Sequence, residues 1–170
     1  QILNEYSESQ ISNILFEYAD LRNSKDIAKT IVEERSLKKI TRTSQLNEIL
    51  NSFLPKGFEN KILAKVYQAL RIEVNQEMQA LKEVLLQLPN LVKKGGTISF
   101  ITYHSVEDRI VKQFIQKHSR PKQIPKGLPI MMNDTQPCLL KDLGKVKPSY
   151  EEIKINRRSR SAILRIAEKC

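Results

Sequence analysis

The stretch Gly95-Gly96-Thr97-Ile98-Ser99-Phe100-Ile101-Thr102-Tyr103-His104-Ser105-Val106-Glu107-Asp108-Arg109 constrains the fold more than any other, because an apolar extended run ends abruptly in a cluster of polar, titratable side chains. Gly95-Gly96 breaks the preceding segment, and Ile98, Phe100 and Ile101 are β-prone. Val106, Ile110, Val111 and Phe114 then recur at helical spacing. The pattern predicts a strand running into a helix. In open α/β sheets, ligands bind just outside the carboxyl ends of the strands, where the next helix begins. His104 falls at that edge. Ser105 and Asp108 fit S-x-x-[DE], a capping box whose hydroxyl satisfies an orphan backbone donor, and Glu107 adds charge near the helix's positive end. Starting a helix accounts for those three residues. Capping does not require His104 or Arg109, which makes them candidates for chemistry.

Upstream of this junction the sequence is helical. Ser7 forms a capping box with Gln10, and Ile11, Ile14, Leu15 and Tyr18 mark one helix face. Ser24 opens a second helix with Ile27, Ala28, Ile31 and Val32. A third follows Thr43 or Ser44, carries Leu46, Ile49, Leu50 and Phe53, and is stopped by Pro55 and Gly57. These read as a compact bundle in which Arg22, Lys25, Lys29 and Arg35 are solvated. From Glu59 to Leu91 one continuous stripe is expected, through Ile62, Val66, Leu70, Val74, Met78, Leu81, Val84, Leu85 and Leu88. Arg71 and Asn75 sit four apart beside it and share a face. They are either interhelical hydrogen-bonding partners near a domain junction or donors turned towards the cleft of His104; spacing does not choose between these.

Between Ser119 and Ser149 periodicity disappears and Pro121, Pro125, Pro129, Pro137 and Pro148 accumulate, so a long loop is expected, carrying Lys122 and Lys126 after Lys117 and Arg120. Asn156-Arg157-Arg158-Ser159-Arg160-Ser161 then reads as a basic turn entering a final strand at Ala162-Ile163-Leu164-Arg165-Ile166-Ala167. Its arginines suit phosphate gripping or simply an exposed turn. A formal charge of +10 favours a polyanionic partner such as nucleic acid. Cys138 and Cys170 are far apart and only two histidines accompany them, so neither a zinc site nor a disulfide framework is expected, which suits a cytoplasmic protein. No apolar run approaches the ~20 residues of a membrane span, and no secretory leader is expected. The chain opens at Gln1 directly into an amphipathic pattern and is expected to be a piece of something longer.

Several of these segments carry a specific resemblance. Tyr67-Gln68-Ala69-Leu70-Arg71-Ile72-Glu73-Val74-Asn75-Gln76-Glu77, the run from Gly95 through Lys112, Lys147-Pro148-Ser149 and Asn156 through Ala162 closely resemble the ribosomal RNA small subunit methyltransferase H family, also called MraW. Tyr6-Ser7-Glu8, Glu17-Tyr18, Ile27-Ala28, Ile31-Val32 and Arg35 stand where that family has an inserted helical domain. The chain departs from the pattern at Lys61-Ile62, where the family usually has His-Pro, at Tyr103, where it has Phe, and at Arg157, where it often has Pro.

The resemblance implies an α/β fold. Residues 1–74 would form an all-α insertion domain, and 75–170 the C-terminal part of a Rossmann-like class I methyltransferase domain. It also implies transfer of a methyl group from S-adenosylmethionine to the N4 of a cytidine in 16S ribosomal RNA of the small subunit. Since it covers only the family's C-terminal part, the Gly-rich cofactor loop is expected upstream of Gln1, with no cofactor-binding residue in this chain, which alone should be inactive. Gly57, Gly95, Gly96, Gly127 and Gly144 form no nucleotide-binding loop. His104 becomes the catalytic candidate, Arg71, Asn75 and Arg109 candidates for orienting the cytidine, and Arg157, Arg158 and Arg160 candidates for holding neighbouring RNA. The competing readings are a non-catalytic basic RNA-binding module and, more weakly, a helical protein-interaction domain.

Overall fold

The computed structural model describes residues 1–120 and 138–170. These form two compact units, Gln1–Met78 and Gln79–Cys170.

The first unit is helical: α1 (Ile2–Glu5), α2 (Glu8–Ala19), α3 (Ser24–Leu37), α4 (Thr43–Leu50) with a 3-10 turn at Asn51–Phe53, and α5 (Glu59–Asn75). The Ser7–Gln10 capping box forms as expected, Ser7 Oγ accepting from the Gln10 amide and Gln10 Oε1 from the Ser7 amide. Ile11, Leu15, Ile27, Ile31, Leu46, Leu50 and Val66 are almost fully buried in one core, so the stripes read from spacing converge here. Two polar ties fix the chain entry: Asn4 exchanges both side-chain hydrogen bonds with the Ile40 backbone, at 2.8 and 2.9 Å, and Arg35 Nη1 donates to the Leu3 carbonyl at 3.0 Å. Arg35 is therefore half-buried rather than solvated, its guanidinium satisfying a carbonyl at the end of α1.

The expected continuous stripe from Glu59 to Leu91 is broken. Gln76 adopts a left-handed conformation with φ 51°, ending α5, and α6 (Glu77–Leu91) begins at the next residue. Val74 and Val84, both expected in the stripe, are exposed, whereas Met78 and Leu85, also expected in it, are buried, as is Ile72 beside it.

The second unit is built on a three-stranded sheet: β1 (Thr97–Thr102), β2 (Leu140–Val146) and β3 (Ile163–Lys169), in the order β1-β3-β2. β3 lies in the middle, antiparallel to both neighbours, so β1 and β2 run parallel to each other. Between β1 and β2 comes α7 (Ser105–Ser119), and between β2 and β3 come α8 (Tyr150–Ile155) and a 3-10 turn at Arg157–Ser161. The register pairs Ile98 with Ala167 and Phe100 with Arg165, placing Ile98, Phe100 and Ala167 on the face whose core contains Leu85, Val111, Phe114, Ile115 and Leu140.

The interval from Ser119 to Ser149 is thus not wholly loop, since it contains β2. That strand escapes pattern reading because a bulge between Asp142 and Gly144 interrupts its alternation; Gly144 takes φ 99°, a conformation glycine adopts without strain, and its amide donates to Asp142 Oδ1 at 2.8 Å. Lys122 and Lys126 lie outside the described residues.

Candidate functional site

The strand-to-helix junction is organised around His104. Ser105 already occupies the first helical position of α7; the residue in the extended conformation of a cap is His104, with φ −140° and ψ 163°. The capping box therefore sits one residue earlier than the Ser105–Asp108 pair predicts. His104 Nδ1 accepts from the Glu107 amide at 3.4 Å, and Glu107 Oε2 reaches back to the His104 amide at 3.3 Å. The same oxygen accepts from the Tyr103 amide at 2.9 Å, so one carboxylate pins two backbone groups at the end of β1. His104 Nε2 lies 3.2 Å from Glu107 Oε1. An imidazole that accepts at Nδ1 carries its proton on Nε2, which here is shielded from solvent and faces Glu107, so both ring nitrogens serve the junction itself.

Asp108, expected to cap, has a different partner. Its two oxygens accept from Arg165 Nε at 2.6 Å and Nη2 at 2.9 Å, a fork that ties the first turn of α7 to the middle of β3. Hydrogen bonding from Arg165 holds the Asp108 carboxyl below its usual value, aided by the guanidinium charge and by Thr102, against the opposing effect of burial. Buried Thr102 completes the junction, its hydroxyl lying 3.4 Å from Asp108 Oδ1 and 3.3 Å from the Ile163 carbonyl. Arg109 follows in the first turns of α7, half-buried.

Next to this junction lies a cleft of about 380 Å³ lined by Tyr103, Arg157, Arg158, Arg160 and Ser161. The turn that bears the arginines is fastened from within: Asn156 Oδ1 accepts from the Arg158 amide at 3.1 Å, and the buried Ser159 hydroxyl donates to the Asn156 carbonyl at 2.8 Å. The basic turn read from sequence is thus an ordered surface whose three guanidinium groups point away from the core. Sequence reading missed Tyr103 as a lining residue; its place between an apolar strand and a polar cluster is the signal that could have found it.

Arg71 and Asn75 belong to the first unit, where they meet at one carboxylate. Arg71 Nε and Nη2 donate to the two oxygens of Glu77 at 2.8 and 3.0 Å, and Asn75 Nδ2 donates to Oε1 at 3.0 Å. This is the hydrogen-bonding alternative of the two left open by spacing, and it fastens α5 to the start of α6 across the Gln76 break. A larger concavity of about 660 Å³ in the same unit is lined by Ile2, Tyr6, Ile40, Leu46, Tyr67 and Leu70 among others, and its mostly apolar wall is unsuited to a polyanion. Among the described residues no group of three or more His, Cys, Asp or Glu could hold a metal ion, and no helix is long and apolar enough to cross a membrane.

A three-stranded antiparallel sheet with a polar strand end, a capped helix leaving it and a basic turn beside it define an α/β unit. The family model for the MraW methylase family matches residues 1–170, and the chain belongs to that family. The ribosomal RNA small subunit methyltransferase H of Christiangramia forsetii is 46% identical over 169 residues, covering 99% of this chain and 55% of that protein. The protein of the same name from Flavobacterium johnsoniae is 46% identical over 173 residues, and that from Vesicomyosocius okutanii 41% over 169, with the same coverage. The chain thus spans about half the length of the curated relatives it matches.

Proposed function

We propose that the full-length protein transfers a methyl group from S-adenosylmethionine to the exocyclic N4 of a cytidine in 16S ribosomal RNA of the small subunit, in the cytoplasm. The observation that carries this reading is the match of the whole chain to the MraW methylase family together with relatives named as ribosomal RNA small subunit methyltransferases. The arginine-lined cleft beside β1 supports an RNA substrate independently, because it supplies positive charge with no carboxylate in its lining.

In this reading the second unit is the C-terminal part of a Rossmann-like methyltransferase sheet and the first is its helical insertion. Parallel β1 and β2 with β3 reversed between them fit the edge of such a sheet. Among the described residues β1 has one strand neighbour, which leaves its other edge for further strands.

The described residues do not by themselves suit S-adenosylmethionine. At the β1–α7 junction the amides of Tyr103, His104 and Glu107 are taken by side chains of the junction itself, and the glycines with positive φ, Gly57, Gly95 and Gly144, all stand elsewhere. Donor binding is accordingly assigned to the part of the protein preceding Gln1. The share of this chain is to withdraw and hold the base. Cytosine's amine is a weak nucleophile because its lone pair is delocalised into the ring, so orientation counts for much of the rate. In this reading His104 is the catalytic residue at the strand end, Arg109 orients the nucleotide beside it, and Arg157, Arg158 and Arg160 hold the flanking backbone, while Arg71 and Asn75 brace α5 against the start of α6 through Glu77.

The test is incubation of the purified full-length protein with methyl-labelled S-adenosylmethionine and small ribosomal subunits lacking the modification. Label entering 16S RNA supports the reading. Tight RNA binding without any transfer replaces it with the non-catalytic RNA-binding module.

A further inference from the structure

We propose that the cleft of Tyr103, Arg157, Arg158, Arg160 and Ser161 holds one nucleotide of a single-stranded RNA segment, with the Tyr103 ring stacked on its base and the arginines on the phosphates to either side. The inference rests on the RNA reading above and adds to it a base-stacking residue and the strand state of the RNA.

The lining has the two chemistries that single-strand binding combines and little else: three guanidinium groups for the backbone, one aromatic ring for a base face, and a hydroxyl. Its volume of about 380 Å³ lies within the range of small-ligand sites. Both walls are held in place before anything binds. Tyr103 is 58% exposed, yet its amide is fixed by Glu107 Oε2 at 2.9 Å, so the ring projects from an anchored strand end. The opposite wall is the turn fastened by Asn156 and Ser159, which closes with the Ala162 amide donating to the Ser159 carbonyl at 2.8 Å.

The arginines are uncommitted. Glu151 and Glu152 are the nearest acidic residues in sequence, but among the described residues no side-chain hydrogen bond or ion pair joins Arg157, Arg158 or Arg160 to them or to any other group. Three guanidinium groups within four positions repel one another and gain most from an anion that spans them, as consecutive phosphates do. Base-paired RNA offers those phosphates but keeps its base faces stacked within the helix, out of reach of Tyr103. The ring therefore selects an unpaired nucleotide.

The experiment measures binding of the full-length protein and its Tyr103→Ala, Tyr103→Phe and Arg157→Ala/Arg158→Ala/Arg160→Ala variants to a fluorescent single-stranded RNA oligonucleotide and to a blunt-ended RNA duplex of equal charge. Stacking predicts that Tyr103→Ala weakens single-strand binding by about 5- to 150-fold and leaves duplex binding unchanged, while Tyr103→Phe binds like wild type. The triple variant should lower the slope of log affinity against log salt by about 2 on the single strand. Equal losses on both RNAs from Tyr103→Ala, or no loss on either, overturn the proposal. Methyl transfer by the wild-type protein is scored in parallel: transfer with an indifferent Tyr103 sinks this inference alone, and single-strand binding through Tyr103 without transfer sinks the enzymatic reading alone.

Discussion

The Asp108–Arg165 fork is the contact through which the junction is most sharply testable. Asp108→Asn keeps the size of the side chain but replaces one acceptor by an amide donor facing Arg165 Nη2, so one of two short charge-assisted bonds, at 2.6 and 2.9 Å, is lost. The guanidinium is left with little solvent to compensate it, since the Arg165 side chain is 11% exposed and that of Asp108 18%. Losing a hydrogen bond to a charged group costs about 1.5–3 kcal/mol, and stripping one partner from a buried pair about 3–5 kcal/mol. For this pair, buried but not sealed, about 3 kcal/mol is expected. The pH dependence has a definite sign. Because the folded Asp108 pKa lies below the ordinary aspartate value of 3.8, the carboxylate's contribution is fully present above the unfolded value and is lost as pH falls through the folded one. Hydrogen–deuterium exchange of peptides from α7 and β3, with wild type and variant compared at the same pH, reads this locally. The variant should exchange much faster at pH 7, and the difference should shrink progressively below about pH 4. A difference under about 1 kcal/mol at pH 7, comparable to an exposed surface pair, or one that persists undiminished at the lowest pH, refutes the assignment.

Three further outcomes follow from other parts of the structure. His104→Ala removes a helix cap and should destabilise the second unit by about 0.5–2 kcal/mol, whereas His104→Asn should restore stability in urea unfolding without restoring methyl transfer in single-turnover assays. Gln76→Gly should raise the stability of the first unit by up to about 1 kcal/mol, because the left-handed φ of 51° costs a side chain more than it costs glycine; unchanged or lowered unfolding midpoints contradict the strained break. The 170-residue chain by itself should show no saturable micromolar binding of S-adenosylmethionine in calorimetry, and a clear isotherm would place donor contacts within these residues.

Much of the helical unit was legible because its apolar residues recur at 3.6-residue spacing with strong caps: Ser7 with Gln10 marks the start of α2, and Ile11, Leu15, Ile27 and Ile31 are where the stripe puts them. The break at Gln76 was not legible, since the left-handed residue is a glutamine with neither Gly nor Pro beside it. β2 was hidden by its bulge and by being apolar at only a few positions. At the junction, spacing located the strand end and the helix start correctly but assigned the cap to the wrong pair. Ser and Asp are the commoner capping residues, whereas here Asp108 is claimed by Arg165, a partner 57 positions away that no local pattern announces. The basic turn was evident from composition; that it shares a cleft with Tyr103 depends on β1 and β3 being neighbours in the sheet, which only the fold supplies.

The central claim is the position of the transferred methyl group, and nucleoside mass spectrometry reads it directly. In 16S ribosomal RNA from cells with the gene deleted, one cytidine should lack an N4-methyl group present in the parent. Incubating the deficient subunits with the full-length protein and S-adenosylmethionine should restore it at that nucleotide. Identical modification in parent and deletion strains, or a restored methyl on any atom other than a cytidine N4, would contradict the account.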